Sequence, residues 1–70
     1  MRKWMQDKRK QCGLTMAQAA ERLDITEGYY LLIEKGERQK SLDMTFAQKL
    51  GKLFGMTIQQ IADAENREGA

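Results

Sequence analysis

Seventy residues, 41% hydrophobic and 31% charged with a net charge of +2, are expected to make one small domain. Cys12 is the single cysteine and there is no histidine, which excludes an intrachain disulfide, removes the usual zinc ligand sets and suits a reducing compartment. The longest apolar run, Tyr29 to Ile33, is too short to cross a bilayer, and no signal-type apolar stretch follows the charged N-terminus. A soluble, cytoplasmic chain is therefore expected. Charge is uneven along it. Residues 1–40 carry nine Lys/Arg against six Asp/Glu, whereas residues 56–70 carry Arg67 against Asp63, Glu65 and Glu68. A basic front suits a nucleic-acid face but equally an ordinary solvated surface.

Proline is absent and β-branched alternation is scarce, so the pattern predicts helices only. The first helix spans roughly Arg2 to Cys12, with Met1, Met5 and Cys12 at helical spacing and Gly13 as its stop. Thr15 and Gln18 form a capping box that opens a second helix, Met16 to Leu23, with Ala20 and Leu23 inward. Asp24 and Ile25 make a tight turn. Thr26 caps a third helix, Glu27 to Lys35, ended by Gly36, and the polar, basic residues 37–42 read as a loop. Asp43 caps a fourth helix, Met44 to Phe54, with Met44, Ala47, Leu50 and Phe54 on one stripe and Gly55 as terminator. Thr57 and Gln60 form a second capping box for a fifth helix carrying Ile58 and Ile61. Asn66 to Ala70 lack apolar periodicity, so residues 1–65 are expected to form the domain and 66–70 a disordered tail.

Helices two and three, joined by a three- or four-residue turn with the small Ala20 at the crossing, form a helix-turn-helix pattern. The segment GLTMAQAAERLDITEGYYLLIEKGER resembles the Cro/CI-type (XRE) helix-turn-helix family. The resemblance covers roughly residues 3–62. It rests on Gly13-Leu14-Thr15, the spacing of Ala20 and Ile25, the run Ile33-Glu34-Lys35-Gly36-Glu37-Arg38, and Arg9 four residues before Gly13. It implies an all-α, compact five-helix domain of the lambda repressor-like DNA-binding fold. It also implies a structural pair between Arg9 and Glu34, fastening helix one to the end of the recognition helix. Three departures stand out: Met16 replaces the usual glutamine at the start of helix two, Asp24 replaces the turn glycine, and the loop before helix four is about two residues longer.

On a helical wheel Tyr30, Ile33 and Glu34 share the core side of helix three. Gly28, Leu31, Leu32 and Lys35 lie opposite, with Thr26 and Glu27 at the tip. The family's docking mode makes Thr26, Glu27, Gly28, Leu31 and Leu32 the candidate base readers. Arg, Asn and Gln, which grip purines bidentately, are missing from this face. Glu27 either accepts from a cytosine amino group or only favours the helix N-terminus. Leu31 and Leu32 either meet thymine methyls or pack on neighbouring helices. Tyr29 either bonds phosphate or packs. Phosphate candidates need only donors and positive charge: Thr15, Tyr29, Lys35, Arg38, Gln39 and Lys40. Lys8 and Lys10 add long-range attraction or are solvated charges. Trp4 belongs at the core edge or on a partner surface.

These readings point to a sequence-specific, repressor-like regulator of transcription in a bacterium or phage, with double-stranded DNA as partner. An enzyme is not expected: no metal set, no histidine and no glycine-rich phosphate loop is present, and Cys12, read as core, has no nearby base. Neither a cofactor nor a small-molecule ligand is implied. The competing function is a protein-interaction module that docks through the apolar third helix. A homodimer is expected to form through Met56, Ile58 and Ile61, with DNA half-sites ~34 Å apart.

Overall fold

Four of the five helices begin where a polar side chain replaces a missing intrahelical partner; the first, at Lys3, has no side-chain cap. The computed structural model describes residues 1–39 and 41–69, the last two by backbone alone. Within it α1 spans Lys3–Gln11, α2 Met16–Arg22, α3 Glu27–Lys35, α4 Met44–Phe54 and α5 Ile58–Gly69, and no strand occurs among the described residues. Thr15 Oγ1 accepts the Gln18 amide at 3.1 Å while Gln18 Oε1 accepts the Thr15 amide at 2.9 Å. The same reciprocal pair joins Thr57 and Gln60 at 3.1 and 2.9 Å. Asp43 Oδ1 accepts from the Phe46 amide at 2.7 Å, and Thr26 Oγ1 from the Tyr29 amide at 3.1 Å. Each such cap satisfies amides that the first helical turn leaves unpaired.

The core gathers one face of every helix: Trp4 and Met5, Ala19 and Ala20, Tyr30 and Ile33, Phe46, Leu50 and Phe54, then Ile61 and Ala64. Trp4 lies edge-on to Phe54, ring centres 6.4 Å apart, and its indole N–H donates to Glu65 Oε2 at 2.8 Å. That places Trp4 at the core edge, the first of its two readings. α2 and α3 form the closest helix pair; α1 packs on α3 and α5, and α4 on α5.

Three expected core residues are not buried. Met1 is 70% exposed and Cys12 is exposed, because α1 starts at Lys3 and ends at Gln11. Met1 precedes α1 by two residues, and Cys12 follows its last residue as the C-cap, its amide still donating to Lys8 O at 3.0 Å. Met44, the first residue of α4, is 63% exposed and lines an open cleft rather than the core. Cys12 is accordingly not a core residue. The expected frayed tail also differs: α5 remains helical through Gly69, and Ala70 lies outside the described residues. A helix closes its own backbone bonds without apolar periodicity, and Glu65, held by Arg2 and Trp4, anchors the turn before residue 66.

Candidate nucleic-acid interface

The turn between α2 and α3 sets the angle at which α3 stands out. Asp24 adopts φ 60°, a left-handed conformation that aspartate tolerates better than most side chains. Its amide donates to Glu21 O at 3.1 Å, and the Ile25 amide donates to Ala20 O at 3.0 Å. Ala20 is buried at the crossing, where a larger side chain would hold the helices apart. Thus aspartate occupies the left-handed position of the turn where the family usually has glycine.

The inner side of α3 is fixed by charge as well as by packing. Arg9 Nε donates to Glu34 Oε2 at 2.9 Å, and Arg9 Nη1 donates to Leu14 O at 3.1 Å. Glu34 is 1% exposed, so the guanidinium answers a carboxylate cut off from water. The Tyr30 hydroxyl and Glu34 Oε1 are buried without hydrogen-bond partners. Burial, and secondarily the neighbouring Glu34 carboxylate, pushes the Tyr30 hydroxyl far above its ordinary value, so it stays neutral.

The outer side is open. Thr26, Glu27, Gly28 and Lys35 are exposed, and Leu31 and Leu32 are half-buried but stand outside the core cluster. An atom added at Gly28 would meet nothing within 4 Å, so the backbone there is accessible to a close partner. The Tyr29 ring packs against the core, while its hydroxyl accepts from Gln39 Nε2 at 3.2 Å. Packing and a hydrogen-bonded hydroxyl thus coexist at Tyr29. Thr15 is exposed at the start of α2, and Arg38 is exposed after α3. The caps use the threonine oxygens as acceptors, leaving each hydroxyl hydrogen to donate elsewhere. Lys40 lies outside the described residues. Met16 packs against the core, so no polar group stands where the family's glutamine would be.

Sequence reasoning missed one residue that shapes this surface. Helical spacing places Arg2 merely within the first helix, yet it is 5% exposed and reaches the end of α3, the loop beyond it and α5. The detectable signal is a basic residue preceding an apolar pair, Trp4 and Met5, which is too common to single out. Gly51 carries no signal either: an atom built at its Cβ position would lie 2.6 Å from Met56 O.

Of the expected dimer residues, Ile61 is buried and Met56 packs against the core, so both close the monomer. Ile58 alone is exposed, beside an open cleft of about 520 Å³ lined by Met1, Leu42, Met44, Ala62 and Glu65 among others. Among the described residues no His/Cys/Asp/Glu group is arranged to hold a metal ion, and no helix is long and apolar enough to cross a membrane.

The Helix-turn-helix family (HTH_3) matches residues 5–61. A curated relative from Bacillus subtilis (strain 168), described as "Uncharacterized HTH-type transcriptional regulator YqaF", is 34% identical over 55 residues, covering 79% of this chain and 70% of its own length. No solved structure matches the chain. Capped α2, the tight left-handed turn and α3 standing outward on an Arg9–Glu34 brace agree with these matches, and the chain belongs to the helix-turn-helix family of Cro/CI (XRE) type.

Proposed function

We propose that the chain is a sequence-specific DNA-binding regulator of transcription, acting as a repressor in the cytoplasm of a bacterium or phage-infected cell. The observation that carries this reading is α3 itself: pinned on its inner side by Tyr30, Ile33 and Glu34, it leaves Thr26, Glu27, Gly28 and Lys35 exposed on its outer side. A helix of this form enters a major groove, N-terminal half first. Thr26, Glu27, Gly28, Leu31 and Leu32 then face base edges. Gly28 permits close approach, the leucines suit thymine methyls, and Glu27 suits a cytosine amino group. Phosphates are held by Thr15, Tyr29, Lys35, Arg38, Gln39 and Lys40 on either side of the groove. With apolar contacts dominating the base readout, phosphate contacts supply most of the affinity.

The competing protein-docking reading loses ground at α3. The large apolar side chains most exposed to solvent are Met1, Met44 and Ile58, none of them on this helix. Selection from random duplexes with the purified protein, followed by a salt titration, tests the proposal. Enrichment of one motif, with affinity falling steeply as salt rises, is the expected result. No enrichment, or a salt-insensitive complex with a protein, would count against it.

A further inference from the structure

We propose that Arg2 is a positioning residue for the phosphate-holding loop after α3, an inference that rests on the DNA-binding reading. An arginine at 5% exposure must have its donors met, and the partners of Arg2 are unusual in their distribution. Its amide donates to Glu34 O at 2.6 Å. Its Nη1 donates to Ile33 O at 2.7 Å and to Arg38 O at 3.2 Å, and its Nη2 donates to Gln39 O. From the other side Nε is held by Glu65 Oε1 at 2.9 Å. One guanidinium therefore joins the last turn of α3, the next stretch of loop, and α5.

The physical need for such a clamp lies in the loop. The last carbonyls of α3 have no intrahelical partner and carry the negative end of the helix dipole, where a cation is stabilising. Gln39 sits at φ 51°, a left-handed conformation that disfavours side chains other than glycine. Such a conformation persists only where its surroundings enforce it. Here the Arg2 guanidinium holds the Gln39 carbonyl, and the Tyr29 hydroxyl holds the Gln39 side chain. Arg38 and Gln39 are thereby presented on one backbone path before DNA arrives, so binding does not bear the cost of ordering them. Arg2 itself does not touch phosphate, because its donors face carbonyls and a carboxylate inside the protein.

Arg2→Lys and Glu65→Gln separate this role from charge and from folding. Lysine keeps the positive charge but lacks the fork that reaches several carbonyls at once. Binding of each folded variant to a selected duplex and to a random duplex is measured across a salt series, together with amide hydrogen exchange at residues 37–39. Arg2→Lys is expected to weaken both duplexes alike, by about tenfold, and to flatten the salt slope by about one for each phosphate that the loop no longer holds. A loss of folded protein would lower affinity without changing the slope. Glu65→Gln makes the protein one charge more positive, yet the clamp requires it to weaken binding. It also serves as the deciding variant should Arg2→Lys fail to fold. Wild-type affinity and slope in Arg2→Lys, or tighter binding to both duplexes by Glu65→Gln, would overturn the proposal. A wild-type chain that binds no duplex overturns the DNA reading instead. In that case exchange accelerated only at residues 37–39 in Arg2→Lys still upholds the clamp, and unchanged exchange removes it.

Discussion

Asp24 and Arg9 illustrate how single side chains govern this fold in opposite ways. At φ 60° Asp24 occupies a conformation that glycine adopts without steric penalty, and nothing in the turn's backbone bonding requires its side chain. Asp24→Gly is expected to raise stability by roughly 0.5–1 kcal/mol, the relieved left-handed penalty being partly offset by greater unfolded-state freedom. Thermal or urea unfolding checks this, and a destabilised variant would mean the carboxylate has a role in the turn. Arg9 cannot be removed so lightly. Its partner is 1% exposed, and Arg9→Met would leave Glu34 buried without its cation. A loss of ~3–5 kcal/mol is expected in the same unfolding measurement. A loss below ~1 kcal/mol would show that water reaches Glu34. Arg38, exposed and outside any helix, should tolerate alanine with little change in stability. Arg38→Ala is instead expected to weaken specific and random duplexes equally and to flatten the salt slope by about one. A changed sequence preference with random binding intact would assign it to base reading.

Among the elements, α4 shows most plainly what helical patterning misses. Its Ala47, Leu50 and Phe54 are buried as the apolar stripe requires, but Gly51 looks from sequence like a weak point in the helix. Propensity alone predicts that Gly51→Ala stabilises the helix by about 1 kcal/mol. The tertiary structure predicts the opposite sign. The added methyl would lie 2.6 Å from Met56 O, where the chain reverses from α4 into α5 and the Met56 amide already donates to Gly51 O at 2.9 Å. A backbone carbonyl cannot swing aside as a side chain can, so Gly51→Ala should destabilise by roughly 1–3 kcal/mol. Equilibrium unfolding decides between the signs, and a more stable variant would mean that the α4–α5 corner can relax. α3 presents the reverse case: its boundaries, its Thr26 cap and its Gly36 stop at φ 80° are all legible in the sequence, because capping is local chemistry.

For the whole molecule, the question is how a short helix with few hydrogen-bonding readers achieves discrimination. A single good bidentate base contact is worth only ~1–3 kcal/mol, and apolar contacts less. Two copies on a palindrome would double the readout, so a two-to-one complex is expected on the best full-length site. The burial of Ile61 and the packing of Met56 leave Ile58, at 38% exposure, as the accessible member of the expected dimer face. Sedimentation with a half-site and with the full palindrome checks the stoichiometry. Ile58→Glu should leave half-site binding intact while reducing the gain from the second half. A one-to-one complex on the full palindrome would contradict the dimer.

The starts of α2 to α5, both capping boxes, the helix-turn-helix and the inward face of Tyr30, Ile33 and Glu34 were determined by the sequence alone, but not the ends of α1 or the length of α5. Caps act over three or four residues and apolar periodicity repeats within a turn or two, so both are written locally. What only the tertiary structure decided spans longer separations. Arg2 meets Ile33, Arg38 and Glu65; Gly51 meets the chain after the next turn; and Met44 stays exposed although it follows the same stripe as Leu50. A helical stripe states which side of a helix is apolar, but not how far the facing helices extend along it. Nor does it say which distant carbonyls a buried guanidinium will meet. Those depend on how five short helices lie against one another.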